Sequence, residues 1–122
     1  MKNNLFKRKN IHPDINYLEL TPVCLYSHKI EEDGRVTVLM PKFKNKFLAS
    51  FVPRGHSPYV NMHLDELGSA VWLSIDSKSN VGEIIGKLAA ELGEKINPAE
   101  ERIPKFLTQL YQNKFIDFKE LS

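Results

Sequence analysis

Three helix-start signals follow one another within residues 64–116, each set just ahead of an apolar stretch. They restrict the chain to short helices that must bury their stripes against something else, because isolated helices of this length are marginal in water. In the first, Asp65 precedes Glu66-Leu67-Gly68-Ser69-Ala70-Val71-Trp72, and its carboxylate can accept from the free N–H groups of the first turn. Leu67, Val71 and Ile75 fall on one stripe, with Trp72 beside it. In the second, Asn80 and Glu83 have capping-box spacing, and Ile84, Ile85, Leu88 and Leu92 form the apolar face. Gly93 suits its C-terminus. In the third, the pattern predicts Asn97 as the cap, Pro98 at the first helical position and Glu100 as the partner of another box. Ile103, Phe106, Leu107 and Leu110 make its stripe, and Pro104, which removes one intrahelical hydrogen bond, predicts a kink or a late start. Three such helices do not enclose a catalytic pocket by themselves. They offer a small docking surface, whose character depends on what comes before.

What comes before reads as strands. Residues 23–30 alternate weakly, with Val23, Leu25, Tyr26 and Ile30 as the apolar members. Glu31-Glu32-Asp33-Gly34 is a turn signal, and Val36-Thr37-Val38-Leu39-Met40 is rich in β-formers, so the two runs predict a hairpin. Pro41 ends its second strand, since proline cannot donate to the ladder. Tyr59-Val60-Asn61-Met62-His63-Leu64 alternates again and predicts a third strand. Its Val60, Met62 and Leu64 would face the helices, and Tyr59, Asn61 and His63 would face outward. Two stretches are left. Residues 1–20 predict an N-terminal arm, with Lys7-Arg8-Lys9-Asn10 polar and Pro13 interrupting; it reads as a basic arm touching a partner or, more simply, as a frayed terminus. Residues 42–58 hold Phe43, Phe47, Leu48 and Phe51 among Lys42, Lys44, Lys46 and Arg54, without an acid. They read either as a short amphipathic helix resting on a partner or membrane surface, or as a long connection whose aromatics cover the core edge. The order is β-β-β-α-α-α: a three-stranded antiparallel sheet followed by a three-helix bundle, one two-layer α+β domain over residues 21–122.

Composition excludes several kinds of chemistry. The chain has 122 residues and a single cysteine, Cys24, so it forms no internal disulfide, four-thiolate zinc site or iron–sulfur cluster. A reducing cytoplasm suits that usage. No apolar run approaches the length of a membrane span, and the basic start lacks the apolar core of a signal peptide. His12, His28, His56 and His63 share no ligand spacing, and the six glycines are too dispersed for a phosphate loop, so neither a metal nor another cofactor is expected. The pairs Asp65-Glu66 and Glu100-Glu101 lie where helices begin, and capping explains them without catalysis. Cys24 lies in a predicted strand and reads as a structural thiol. Gly68 and Gly86, inside predicted helices, suggest close helix packing. The net charge of +2 is unevenly placed: residues 1–58 carry 10 basic and 5 acidic side chains, residues 59–122 carry 7 and 10. An acidic partner would therefore meet the N-terminal half. The predicted helices are acidic on balance, which argues against nucleic acid.

From Leu64 onward the chain resembles the PqqD-like family. Members show a Leu-Asn-Glu-x-Ala-x-x-Ile-Trp pattern, an Asp-Gly turn, a Thr-Val-x-Glu-Ile helix start and a last helix with spaced Phe and Leu. The matching residues are Leu64, Glu66, Val71, Trp72, Asp76, Val81, Glu83 and Ile84, then Phe106, Leu107, Leu110 and Ile116. Asp65 stands where Asn is usual, Ser77 where Gly is common and Asn80 where Thr is common; all three keep turn or cap chemistry. The resemblance covers roughly residues 59–118, and residues 42–58 are an insertion relative to the short family form.

The resemblance implies a small winged-helix-like domain, not an enzyme, that recognises precursor peptides of ribosomally made, post-translationally modified products. In such families the leader segment adds as a strand beside the third strand, in a groove walled by the third helix. The domain then delivers it to a separate modifying enzyme, often a radical-SAM protein. Here the strand would be Tyr59, Val60, Asn61, Met62 and His63, and the flank of the third helix would offer Arg102, Phe106, Gln109 and Asn113, with the other flank, Thr108 and Tyr111, as the alternative. Each backbone hydrogen bond is worth about 1 kcal/mol net. Ordering a flexible peptide costs about 2–5 kcal/mol. Backbone bonds therefore roughly cancel the ordering cost, and affinity must come from side-chain pockets and charge. Two alternatives stand beside this reading. A DNA-binding winged helix needs a basic recognition helix. A structural or assembly subunit would form a homodimer through the Phe43–Phe51 segment.

Overall fold

A computed structural model of the chain describes residues 16–41 and 59–121. Residues 1–15 of the expected arm and the 42–58 insertion lie outside the described residues. The sheet and helices follow the expected order. Strand β2 (His28–Ile30), β3 (Val36–Pro41) and β4 (Tyr59–His63) form a three-stranded antiparallel sheet in the order β2-β3-β4. Helices α1 (Glu66–Ser74), α2 (Val81–Leu92) and α3 (Ala99–Gln112) follow, making an α+β fold.

The hairpin turns where expected. Gly34 takes the left-handed region at φ 86° and its N–H donates to the Glu31 carbonyl at 2.9 Å. Pro41 is the last residue of β3. The first expected strand, however, is two strands. A bend at Leu25 and Tyr26 separates β1 (Pro22–Cys24) from β2. β1 leaves the main sheet and pairs antiparallel with β5 (Ile116–Phe118), a strand the periodicity did not predict.

Local cap chemistry explains where α1 and α2 begin. The Asp65 carboxylate accepts the Gly68 N–H at 2.7 Å. At α2 the capping box closes in both directions: Asn80 Oδ1 accepts the Glu83 N–H at 2.8 Å, and Glu83 Oε1 accepts the Asn80 N–H at 2.9 Å. Gly93 caps its end at φ 54°. The third box does not form. α3 starts at Ala99 with Pro98 at the cap position, so Asn97 stands one residue too early and instead closes the short 3-10 turn Gly93–Ile96 by donating to the Glu94 carbonyl. Pro104 lies inside α3, which neither starts late nor ends there.

The core lies between the sheet and the helices. Val36 and Val38 of β3 meet Trp72, Ile84, Leu88, Ile103, Leu107 and Phe118 in one buried cluster. Trp72 is 1% exposed, and its indole N–H donates to His28 Nδ1 at 3.1 Å, tying α1 to β2. Ser69 of α1 is buried against β3, where its hydroxyl oxygen accepts the Val36 N–H at 2.8 Å. Before β1, a 3-10 turn (Tyr17–Glu19) delivers buried Leu20, whose carbonyl accepts the Val81 N–H that opens α2.

Candidate functional site

Strand β4 is paired on one side by β3 and, among the described residues, by no strand on the other. The register sets Tyr59 opposite Pro41, Asn61 opposite Leu39 and His63 opposite Thr37. Leu64 N–H donates to the Val36 carbonyl at 2.9 Å, which fixes the alternation of the ladder. Met62 and Val60 spend their backbone groups on β3, as Leu64 does its N–H, and the N–H and C=O of His63, Asn61 and Tyr59 point the other way. The five residues expected to supply backbone thus divide: three offer it outward, two do not.

The side chains alternate as expected at Met62, half-buried, and Leu64, buried, while Asn61 and His63 are exposed. Val60 departs from the pattern at 48% exposed. It lies opposite Met40, beyond the part of the sheet that the buried cluster covers.

Where β4 runs into α1, a groove of about 320 Å³ opens between α1 and α3. Its α3 side carries Arg102, Phe106 and Gln109, three of the four expected flank residues, with Ile103 and Lys105. Its α1 side carries Asp65, Leu67, Gly68 and Val71, and Ile96 also lines it. Gly68 is the point of closest approach. A β-carbon there would lie 3.0 Å from Asp65 Oδ1, 3.2 Å from Phe106 Cζ and 3.5 Å from Leu64 Cβ, so any other residue would press on the cap and on the ring. Gly86 has open space around its α-carbon, and close packing does not explain it.

The polar groups at the groove are partly committed. Arg102 Nη1 donates to the Lys95 carbonyl at 2.9 Å, which leaves further guanidinium N–H groups for a ligand. The Asp65 carboxylate serves its own helix. Asn113 does not line the groove; its side chain donates to the Gln109 carbonyl at 2.9 Å and closes the end of α3. Phe106 is half-buried, unlike its stripe neighbours Ile103, Leu107 and Leu110, because it faces the groove.

Sequence reasoning missed the α1 wall of the groove and Lys105. The signal that could have found the wall was Gly68, a glycine inside a helical pattern with a large aromatic needing room on the facing element. Among the described residues no group of three His, Cys, Asp or Glu side chains gathers, and no helix is long and apolar enough to cross a membrane. Cys24 is half-buried, and burial pushes its thiol up to about 11, so it is protonated at neutral pH and a poor nucleophile.

Comparison with curated proteins and with solved structures gives no match. Comparison with protein families shows that the family described as coenzyme PQQ synthesis protein D (PqqD) matches residues 57–116. Proteins of that family are non-catalytic accessories that bind precursor peptides in the biosynthesis of ribosomally made, modified peptides. The matched span holds β4, all three helices and every residue lining the groove, and the chain belongs to the PqqD-like family.

Proposed function

We propose that this chain is a non-catalytic peptide-binding chaperone that takes up the leader segment of a precursor peptide by strand addition at β4 and presents it to a separate modifying enzyme, such as a radical-SAM maturase, in the cytoplasm. One observation carries the reading. The backbone groups of Tyr59, Asn61 and His63 face away from β3, and Asp65, two residues beyond His63, lines the groove that holds Arg102, Phe106 and Gln109. An extended peptide can satisfy the first set with its own backbone and fill the second with a side chain.

Each half supplies what the other lacks. Three outward residues give at most a few backbone hydrogen bonds, each worth about 1 kcal/mol net, which ordering of the peptide consumes. An apolar anchor entering the groove against Phe106, Val71 and Ile103 adds the surplus, at roughly 25 cal/mol per Å² of apolar surface removed from water. Arg102 and Lys105 at the same groove favour an acidic leader. Asn113 supports the helix end from which this flank projects.

The test is amide hydrogen exchange on the full chain with saturating amounts of each short peptide encoded beside its gene. The expected result is slowed exchange at Tyr59, Asn61 and His63 and little change at Val60 and Met62, already bonded to β3. If every such peptide leaves the three outward amides unprotected, the strand-addition reading fails.

A further inference from the structure

The outward face of the sheet carries a polar row that backbone pairing does not use. Lys29, Thr37 and His63 stand opposite one another on β2, β3 and β4. Thr37 is fully buried despite its hydroxyl, which donates to Glu31 Oε2 and lies 2.9 Å from His63 Nδ1. Lys29 Nζ is 3.8 Å from the same carboxylate oxygen.

A threonine hydroxyl has one proton, and an ionised carboxylate only accepts. The Thr37 proton is therefore committed to Glu31, and its oxygen accepts from the Nδ1–H of His63. That assigns the tautomer of the neutral ring: Nε2 holds a lone pair, on an exposed side chain and with no partner among the described residues. His63 is also one of the three residues whose backbone faces away from β3. An antiparallel strand added there forms a hydrogen-bonded pair with His63, with α-carbons about 5.5 Å apart. The side chain of the paired residue then stands on the same face, beside the imidazole.

We propose that His63 is a specificity-determining residue of this site, selecting at the peptide position paired with it a side chain that donates a hydrogen bond: a hydroxyl, a carboxamide or a cation. This rests on strand addition at β4. An aliphatic side chain at that position covers the Nε2 lone pair without satisfying it, and a carboxylate sets acceptor against acceptor. Asn61, two residues away on the same face, has both donors and acceptors and imposes no such rule.

The test uses a displayed library of random peptides of about ten residues, panned at mildly alkaline pH. The targets are the full chain and its His63→Phe and Thr37→Val variants. Wild-type binders are expected to share a donor side chain at one position. Replacing that side chain by valine should weaken binding to the wild type about fivefold, the worth of one hydrogen bond. The same replacement should change binding to His63→Phe less than about twofold. Thr37→Val keeps the ring but releases its tautomer, and the valine penalty should be intermediate there. A merely structural role for His63 would weaken all peptides equally and leave the valine penalty intact. Peptides that protect the amides of Tyr59, Asn61 and His63 yet show no donor preference, or the same penalty in wild type and His63→Phe, overturn this assignment alone. Peptides that leave those amides unprotected, or a library without binders, overturn strand addition and the assignment with it.

Discussion

Ser77 carries a cost that its neighbours offset. It sits at φ 66°, in the left-handed region where a β-carbon crowds the following carbonyl. The Asp76 carboxylate holds the turn around it by accepting the Ser79 N–H at 2.7 Å, the Lys78 N–H at 2.9 Å and the Ser79 hydroxyl at 3.1 Å. Those donors, the Ser79 N–H first, keep the Asp76 carboxyl below its usual range. Ser77→Gly removes the backbone strain and adds some chain entropy to the unfolded state. The expected net gain is about 0.5–1 kcal/mol, read as a rise in the urea midpoint at constant slope. Single residues also mark the limit of what a sequence conveys. Gly68 and Gly86 look alike in the helical pattern, yet only Gly68 has an aromatic ring against it. The difference lies in Phe106, 38 residues on and in another helix, and no local pattern encodes it.

Elements were legible where their signals were local. The caps of α1 and α2 pair groups three residues apart, and residue types at that spacing suffice to predict them. Asn97 shows the same spacing to Glu100, but the helix begins one residue later, a shift that Asn-Pro-Ala-Glu does not reveal. β1 and β5 are harder still. Each has three residues, and Pro22 finds Phe118 across nearly the whole chain. Alternation over three residues carries almost no information, and the partner carries the rest. The candidate site follows the same division. Its β4 face and the α3 flank were readable as periodic patterns, while the groove exists only once α1 and α3 are packed. One side chain ties α1, a wall of that groove, to the sheet: Ser69 supplies the acceptor for the buried Val36 N–H at the start of β3. Ser69→Ala leaves that donor buried without a partner, and the fold should lose about 1–3 kcal/mol in equilibrium unfolding. Loosening of the α1–β3 contact should also raise the exchange rate of the Val36 amide.

At the scale of the molecule, segments from opposite ends of the described chain are held together by polar contacts as well as by packing. Tyr17 packs edge-on against Phe118 with ring centroids 5.7 Å apart and donates from its hydroxyl to the Pro104 carbonyl. Burial pushes that phenol up to about 12, so it stays a neutral donor. The Glu120 carboxylate accepts both the N–H of Thr21 at 2.7 Å and its hydroxyl at 2.8 Å. Burial alone would raise the Glu120 carboxyl, but the two Thr21 donors outweigh it and the carboxyl lies below its ordinary value of 4.5. A carboxyl depressed in the folded state stabilises fully above its unfolded value and loses that contribution as pH falls through the folded one. Glu120→Gln should therefore cost about 1 kcal/mol at neutral pH, a hydrogen-bond figure discounted for exposure. The gap between variant and wild type should close as urea titrations are carried below pH 4.5.

The β1–β5 ladder has a consequence for how the protein is made. Pro22, Val23 and Cys24 leave the ribosome long before Ile116, Asp117 and Phe118, which are their strand partners. The β2-β3-β4 sheet can close as soon as His63 has emerged, but β1 must stay unpaired until synthesis has passed Phe118. Closure of the whole domain is thus a late, long-loop event, of the kind that folds slowly relative to local pairing. During translation the nascent chain shows its half-finished sheet, with the β4 edge already built, before its two ends have met.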